Sequence, residues 1–264
     1  MAGERPKKET AAGADRAAPA AEDAVTSSPG GAADGLAAAA APVLPPVLEK
    51  PRTRPPRRAE EITPARREKF ARIAAMRDFA AAVVLEDITD PHNAAAAFRS
   101  ADAFGIQNVH LVFARERRFD PLKREFRKTS GRSNKWLDFR IHDDSARAMA
   151  ALKAAGHTLI ATKVDPAATP LPALDLAAIE KPAFVFGNEH RGISPAVEEA
   201  ADILTFIPMV GLAESFNLSV SVALVLYEYF GQLRLGRAPA PGAPRRLSTE
   251  DEAAALFVRW LGRM

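Results

Sequence analysis

The stretch Ile207–Phe230, IPMVGLAESFNLSVSVALVLYEYF, decides the fold because it joins a strand, a polar loop and a long apolar helix. The strand ends at Pro208, which has no backbone N–H to donate to a sheet. The helix is predicted from about Phe216 to Leu235 by its apolar spacing. Ser215 and Asn217 precede it, and either can cap it, although capping needs only one of them. The surplus of polar groups beside an apolar helix therefore predicts a ligand site.

Strands and helices alternate on the amino-terminal side of this stretch. Apolar strands are predicted at AVVLEDI (82–88), NVHLVF (108–113), TLIATKV (158–164) and PAFVFG (182–187), with helical segments between them. This alternation predicts an α/β fold with a mostly parallel sheet and helices on both faces. Ligands of such sheets bind at the carboxyl ends of the strands. We therefore expect the site in three loops: Thr89–Asn93, Gly187–Ser194 and Pro208–Asn217.

The first loop opens DPHNAAAAFRSADAFG (90–105), which predicts a helix over Ala94–Phe104 with Asn93 as its N-cap. Arg99 lies off the aromatic face of this helix and is surrounded by alanines. Together Asn93 and Arg99 offer donors to a phosphate or a ribose. The alternative is structural: Asn93 only caps, and Arg99 pairs with Asp102 or with solvent.

The second loop lies in FVFGNEHRGIS (184–194), where Gly187 and Gly192 allow the backbone to approach a ligand closely. The pattern matches neither the dinucleotide fingerprint nor a phosphate-binding P-loop. His190 stands beside Glu189 without a second residue at metal-ligand spacing, so no metal site is expected. An ordinary glycine-bounded turn remains the alternative.

Composition limits the chemistry of the 264-residue chain. It has no cysteine, which excludes disulfides, thiolate metal sites and cysteine nucleophiles. The net charge of +3, from 36 basic and 33 acidic residues, says little, but the basic residues are clustered. One cluster runs from Arg52 to Arg77 and the other from Arg115 to Lys135. Such clusters indicate a polyanionic partner, with an ordinary solvated surface as the alternative.

The ends of the chain differ from its middle. Residues 1–58 are rich in Ala and Pro without an apolar period, which predicts a disordered tail. A transit peptide is the alternative, but acids such as Glu4 and Glu9 argue against it. A basic amphipathic helix is expected within 59–80, the main domain over 81–236, and a linker with a terminal helix, capped by Ser248 or Thr249, over 237–264. No apolar run of 18 residues occurs, so we expect no membrane-spanning segment and no membrane partner. The lack of cysteine is compatible with the cytoplasmic location that we expect.

Three stretches resemble, in order and spacing, the motifs of the SpoU branch of the SPOUT superfamily of RNA methyltransferases. The first is HNAAAAFRSADAFG, with Asn93 and Arg99 in place; the second is FVFGNEHRGIS, with Glu189. The third is IPMVGLAESFNLSVSVALVLYE, with Ser215, Asn217 and Ser219. The segment KTSGRSNKWLDFRIHDD is similar to that of TrmH-type tRNA (guanosine-18-2′-O)-methyltransferases. The resemblance covers about residues 65–260. It departs in SFNLS, where the branch most often has Leu and Val in place of Phe and Leu.

The resemblance implies a deep trefoil knot in the carboxyl-terminal half, a homodimer, and S-adenosylmethionine as cofactor. The loop positions that match its binding, mostly through backbone groups, are Gly187, Ile207, Met209 and Leu218. It implies methylation of a ribose 2′-oxygen, that of guanosine 18 in the tRNA D-loop. Ribosomal RNA as substrate, or RNA binding without chemistry, are the alternatives.

The resemblance also implies roles for the polar residues. Arg99 activates the ribose hydroxyl, and Asn93, Glu189, Ser215 and Asn217 orient Arg99 and the ribose. Because arginine is not readily deprotonated, we expect it to hold a phosphate and stabilise the developing alkoxide, with the proton passing to phosphate or water. The expected RNA-binding residues are Arg66, Arg72, Arg77, Arg124, Lys128, Arg132 and Lys135.

Overall fold

The computed structural model describes residues 42–49, 61–237 and 248–264. Its strands are β1 (Asp78–Glu86), β2 (Ile106–Val112), β3 (Asp138–His142), β4 (Thr158–Thr162), β5 (Thr169–Pro170), β6 (Pro182–Phe186) and β7 (Ile203–Phe206). They form one sheet in the order β3-β2-β1-β6-β4-β7-β5, and each neighbouring pair is parallel. The mostly parallel sheet predicted from the alternation is confirmed.

Helices cover both faces of the sheet. They are α1 (Pro64–Ala75), α2 (Pro91–Ala103), α3 (Phe126–Thr129), α4 (Ser145–Ala154), α5 (Pro195–Ala200), α6 (Leu218–Arg234) and α7 (Glu250–Arg263). Val83 and Leu85 of β1 share a core with α2 and α6, whereas Ala82 and Val84 share a second core with α4 and α5. Side chains alternate in this way because successive residues of a strand point to opposite faces.

Helix α6 begins at Leu218 with Asn217 as its N-cap, one or two residues inside the predicted bounds. Its buried residues, among them Leu218, Val222 and Val225, form one stripe against the sheet. Burial, together with the Asp78 carboxylate that accepts its hydroxyl at 2.8 Å, raises the pKa of Tyr229 above its ordinary value. The same helix packs on α2, and this places the loop before α6 beside the start of α2.

The start of α2 differs from the prediction. The helix begins at Pro91, and the N-cap is Asp90, whose carboxylate accepts the His92 amide at 2.8 Å. Proline suits the first helical position because it lacks the N–H that a helix start leaves without a partner. The prediction that Asn93 caps this helix is therefore wrong, and its side chain is available for other contacts.

The two terminal helices of the described chain pack together. Phe70 of α1, Trp136 and Trp260 of α7 form an aromatic cluster with ring centroids 5.1–5.7 Å apart. Arg77 follows α1, is 3% exposed, pairs with Asp102 and lies 5.3 Å from the Trp260 ring centroid. The prediction that Arg77 binds RNA is therefore wrong, because its guanidinium is enclosed by an ion pair and an aromatic ring.

Part of the predicted tail contacts the sheet. Leu48 donates its backbone N–H to Phe139 of the edge strand β3 at 2.6 Å, and Leu44 and Leu48 pack partly buried against the two cores. The expectations for residues 1–41, 50–60 and 238–247 lie outside the described residues. The domain boundaries and the trefoil knot stay predictions. Among the described helices, none is long and apolar enough to cross a membrane.

Candidate active site

The candidate site lies where the loops after β1 and β6 meet. These strands are neighbours in the sheet although β2 to β5 come between them in the chain. Glu189, after β6, accepts the backbone amides of Thr89 at 3.0 Å and Asp90 at 3.3 Å, which follow β1. Crevices of this kind, at the carboxyl ends of parallel strands where the chain order changes direction, are the usual ligand sites of α/β sheets.

Side-chain amides connect this crevice to the start of α6. Asn93 donates from Nδ2 to Glu189 Oε1 at 3.1 Å, and its Oδ1 accepts Asn217 Nδ2 at 3.0 Å. Asn217 Oδ1 in turn accepts the amide and the hydroxyl of Ser219 at 2.9 and 2.7 Å. A continuous chain of hydrogen bonds therefore joins the three loops that the sequence singled out. It fixes which face of each amide is presented to the crevice.

Glu189 is held as a carboxylate. Partial burial raises the pKa of Glu189, but hydrogen bonds from the Thr89 amide, the Asn93 side chain and the Asp90 amide outweigh it. The net result is a pKa below the ordinary value for a glutamate. Glu189 is thus a poor proton acceptor near neutral pH, and its role in this geometry is to orient Asn93.

The loop that carries Glu189 is shaped by Asn188 and two glycines. Asn188 is 4% exposed and donates to the Asp87 carbonyl at 2.7 Å and to Thr89 Oγ1 at 2.8 Å. The backbones of Asn188 and Gly192 exchange two hydrogen bonds of 2.9 Å, which fold the loop back on itself. A Cβ added to Gly187 would lie 2.2 Å from the Gly192 carbonyl carbon, so no larger residue fits there.

Arg99 lies two turns beyond His92 on α2 and is exposed. Asp102, which the sequence offered as its alternative partner, instead binds Arg77 and accepts the Ser133 hydroxyl at 2.7 Å. The segment after α3 runs beside Arg99, since a Cβ on Gly131 would lie 3.7 Å from Arg99 Nε. The Arg99 guanidinium therefore faces solvent, available to an anion.

Ser215 is exposed and lies two residues before Asn217. Within the described residues it is not part of the hydrogen-bond chain, in contrast to Asn93, Glu189 and Asn217. The structure thus brings three of the five predicted catalytic residues into contact, whereas Arg99 and Ser215 do not belong to this hydrogen-bonded group within the described part of the chain.

The four predicted cofactor positions follow β6 and β7, which flank β4. Gly187, Ile207 and Met209 are half-buried, whereas the Leu218 side chain is 7% exposed and belongs to the core. The Gly192 and Ile193 backbone fills the space beside Gly187, so this glycine is required by the packing of the loop itself, and the four cofactor-binding positions stay predictions. Gly211, in contrast, is uncrowded and not in the left-handed region, so the structure gives no need for glycine there.

Most of the predicted RNA-binding residues lie on the surface: Arg66, Arg72, Arg124, Lys128 and Arg132 are exposed. Arg132 adopts a left-handed backbone with φ of 70°, which is uncommon for a residue with a side chain. Lys135 is half-buried, with its Nζ 4.9 Å from the Trp136 ring centroid. Strained backbone at a basic residue is the kind of feature that accompanies binding loops.

A cavity of about 330 Å³ lies at the other end of α2. It is lined by Phe70, Trp136 and Trp260 of the aromatic cluster, together with Phe104 and Arg234. None of the predicted catalytic or cofactor residues lines it. The cavity is therefore separate from the crevice described above.

Sequence reasoning missed two residues at the site. His92 is exposed in the first turn of α2, and its Nδ1 lies 3.2 Å from Thr129 Oγ1 of α3. Asn188 shapes the Glu189 loop from a buried position. Both His92 and Asn188 stand next to residues that were singled out, but only the fold gives their contacts.

The sheet, the crevice and the hydrogen-bonded loops define an α/β protein with a ligand site at the carboxyl ends of its parallel strands. Residues 80–227 match the model of the SpoU rRNA Methylase family. This match spans more than half of the chain, and the chain belongs to that family.

Two relatives show how the likeness extends. A tRNA (guanosine(18)-2′-O)-methyltransferase of Thermus thermophilus is 35% identical over 171 residues, covering 64% of this chain and 83% of the relative. A 23S rRNA (guanosine-2′-O-)-methyltransferase RlmB of Nitrosomonas europaea is 36% identical over 151 residues, covering 57% of this chain and 55% of the relative.

Solved structures agree with the fold. The TrmH/SpoU tRNA modifying enzyme of A. aeolicus has a TM-score of 0.62 at 24% identity, covering 75% of this chain and 95% of that chain. The SpoU methyltransferase AviRb of Streptomyces viridochromogenes, solved in complex with AdoMet, has a TM-score of 0.52 at 27% identity, covering 62% and 64%.

Proposed function

We propose that this protein transfers a methyl group from S-adenosylmethionine to the ribose 2′-oxygen of guanosine 18 in tRNA. The observation that carries the proposal is the hydrogen-bond chain Glu189–Asn93–Asn217, which joins the three loops at the carboxyl ends of the strands. The 83% coverage of a tRNA (guanosine(18)-2′-O)-methyltransferase supports the choice of tRNA. The relative named for 23S rRNA is covered over 55% of its length, which makes ribosomal RNA the second candidate.

The cofactor supplies an electrophilic methyl group on a sulfonium, and the chain must align the ribose oxygen with it. Gly187, Ile207 and Met209 provide a backbone-lined wall for the cofactor. Asn93 and Asn217, locked to each other at 3.0 Å, present polar groups to the ribose from the adjoining loops. Rigid placement of this kind contributes to rate because reacting atoms must be held in line.

Arg99 is the charged group of the site. Its exposed guanidinium suits the phosphate next to the target ribose and favours negative charge that develops on the 2′-oxygen. Glu189 does not accept the proton in this scheme, since its hydrogen bonds keep its pKa low. The exposed Arg124, Lys128 and Arg132 extend the cationic surface along which an RNA backbone binds.

The proposal includes a homodimer formed through α6. Val220 and Tyr227 of this helix are seven residues apart, on one face, and are 43% and 50% exposed. Two further large apolar residues are exposed: Phe216, two residues before α6, at 39%, and Met76, which follows α1, at 54%. Exposed apolar stripes on a helix indicate a protein interface. Val220→Asp with Tyr227→Asp should shift the mass measured by light scattering from dimer to monomer. An unchanged mass would place the interface elsewhere.

The test of function uses the full chain, methyl-labelled S-adenosylmethionine, two unmodified tRNA transcripts and, in a separate reaction, ribosomal RNA. One transcript carries guanosine at position 18, and its matched control carries 2′-deoxyguanosine, which lacks the acceptor oxygen. We expect labelled 2′-O-methylguanosine from the first and none from the second. Label in ribosomal RNA but not in tRNA would favour the second candidate. RNA binding without transfer of label to either would identify a non-catalytic binder. The trefoil knot and a cytoplasmic location stay predictions.

A further inference from the structure

The proposed reaction needs a group that takes the proton of the ribose hydroxyl. The sequence alone led us to expect phosphate or water, both of which are weaker bases than a neutral imidazole. The residues in the hydrogen-bond chain do not supply such a group. Glu189 is engaged by three donors, and its pKa is lowered. Asn93 and Asn217 are amides, and an arginine such as Arg99 stays protonated in proteins. Histidine is the side chain whose charge ordinarily changes between pH 5 and 8.

His92 stands in the required place. It lies next to Asn93 and seven residues before Arg99 on α2. Seven residues are close to two full helical turns, so His92 and Arg99 project from the same face, about 10 Å apart along the axis. Ala96, which has a small side chain, lies between them on that face.

The segment that ends α3 holds both ends of this face. Thr129 Oγ1 is 3.2 Å from His92 Nδ1, and Gly131, two residues further on, lies against the Arg99 side chain. A threonine hydroxyl can donate to Nδ1 or accept from it, so this contact is compatible with the tautomer that carries its hydrogen on Nδ1. That tautomer leaves the lone pair of Nε2 free on the exposed side of the ring.

We propose that His92 is the general base of the proposed methyl transfer. In this step Nε2 takes the proton of the 2′-hydroxyl, the 2′-oxygen forms a bond to the methyl carbon, and the carbon–sulfur bond breaks with its electron pair on sulfur. The products are the 2′-O-methyl ribose, the neutral thioether and a protonated His92. Arg99 holds the adjacent phosphate, and Thr129 is a positioning residue for the imidazole. This inference rests on the proposed function.

The charged groups on the elements next to His92 bear on any pH profile. They are Asp90 and Arg99 of α2, Arg127 and Lys128 of α3, and Glu189 and His190 of the loop bound to Asn93. The first two turns of α6, from Leu218 to Val225, carry no titratable side chain. His92 and His190 are the two imidazoles of this set, and the His190→Ala control described below separates them.

The experiment is single-turnover methylation of the tRNA transcript as a function of pH, with full-length protein. For the unsubstituted chain the rate should rise with pH to a plateau as the imidazole loses its proton. His92→Ala should lower the plateau at least about 100-fold, the usual effect of removing a general base. Added imidazole should restore part of the lost rate in His92→Ala. It should restore little in His92→Gln, because the glutamine side chain occupies the space that the histidine ring leaves.

Two further variants separate catalysis from structure. Thr129→Val keeps the shape but removes the hydroxyl, and should slow the reaction several-fold while leaving S-adenosylmethionine affinity unchanged. His190→Ala removes the exposed histidine beside Glu189, a matched control that should leave the pH profile as it was. Calorimetric cofactor titration of each variant checks that the loops are intact.

Three results would overturn the assignment. A rate in His92→Ala within a few-fold of normal would remove His92 from proton transfer. A rate that falls as pH rises through neutrality would make His92 a cationic phosphate ligand instead of a base. Loss of rate without any rescue by imidazole, together with weakened cofactor binding, would make it structural. If the unsubstituted protein itself transfers no label to RNA, the proposed function fails first.

Discussion

Gly187→Ala tests the cofactor loop through a single methyl group. The added Cβ would lie 2.2 Å from the Gly192 carbonyl carbon and 2.3 Å from both the Gly192 oxygen and the Ile193 nitrogen. Ordinary van der Waals contact begins at 3.4 Å, so the loop must move by more than an ångström. The obstructing atoms are backbone, which cannot turn aside as a flexible side chain does.

The displacement should break the two backbone hydrogen bonds between Asn188 and Gly192. Two such bonds contribute about 1–3 kcal/mol, and the strain of overpacking adds about 1–3 kcal/mol. Because relaxation relieves part of the strain, we expect the cofactor-binding form of the loop to be disfavoured by about 2–4 kcal/mol. At about 1.4 kcal/mol per tenfold, this reduces apparent S-adenosylmethionine affinity roughly 30- to 1000-fold.

The assay is calorimetric titration of S-adenosylmethionine into the original protein and its variants. Gly211→Ala is the matched control, because a Cβ there would meet only the Ala213 nitrogen at 4.0 Å. It should bind the cofactor as the original does. Normal affinity in Gly187→Ala would refute the argument that the approach of Gly192 to Gly187 shapes the site. Thermal unfolding shows whether the variant is folded. If it is not folded, Gly192→Ala is the second variant. Its backbone φ of 68° is strained for alanine, although no atom obstructs the added Cβ, so S-adenosylmethionine binding should weaken about tenfold.

Three other predictions follow from the same structure. Arg99→Ala should lower the rate of single-turnover methylation by about two orders of magnitude and leave cofactor affinity unchanged. Arg99→Lys should not restore the rate, because the point charge of lysine cannot make a two-pronged contact. A near-normal rate in Arg99→Ala would remove Arg99 from the reaction. Charge reversal of Arg124 and Lys128 should weaken tRNA binding in filter-binding assays and make that binding less dependent on salt, because fewer counterions are released. If the tRNA affinity of the original protein does not depend on salt, this prediction is contradicted. Burial, with nearby Arg140, lowers the pKa of His142 from 6.5 to about 4. Between pH 6.5 and about 4 the unfolded chain therefore binds more protons at this histidine than the folded protein does. The free energy of unfolding should accordingly fall by about 3 kcal/mol as the pH drops from 6.5 to about 4. Denaturant unfolding should show this loss, and His142→Asn should flatten it; an equal loss in the variant would assign the effect to other groups.

The sequence by itself determined the class of fold, and from that fold it predicted the location of the site. Apolar strands alternating with helices require a parallel sheet covered on both faces, since each strand must bury both of its sides. The site follows from the fold, because parallel strands place their carboxyl ends at one edge. Local patterns also limited the cap of α6 to Ser215 or Asn217 and that of α7 to Ser248 or Thr249, and the structure has Asn217 and Thr249. These are short-range features, fixed by a residue and its neighbours within one turn.

The partners of polar side chains were decided by tertiary structure. Nothing in the sequence indicates that Asn93 bonds to Asn217, 124 residues away, or that Asp90 takes over the cap. Arg77 belongs to a basic run by composition, yet the packing of α1 against α7 encloses it beside Asp102 and Trp260. Charge and hydrogen-bonding capacity are properties of a residue, but burial and partner depend on chain segments that meet only in the folded protein. His92 became a candidate base for the same reason, once α3 brought Thr129 to its ring.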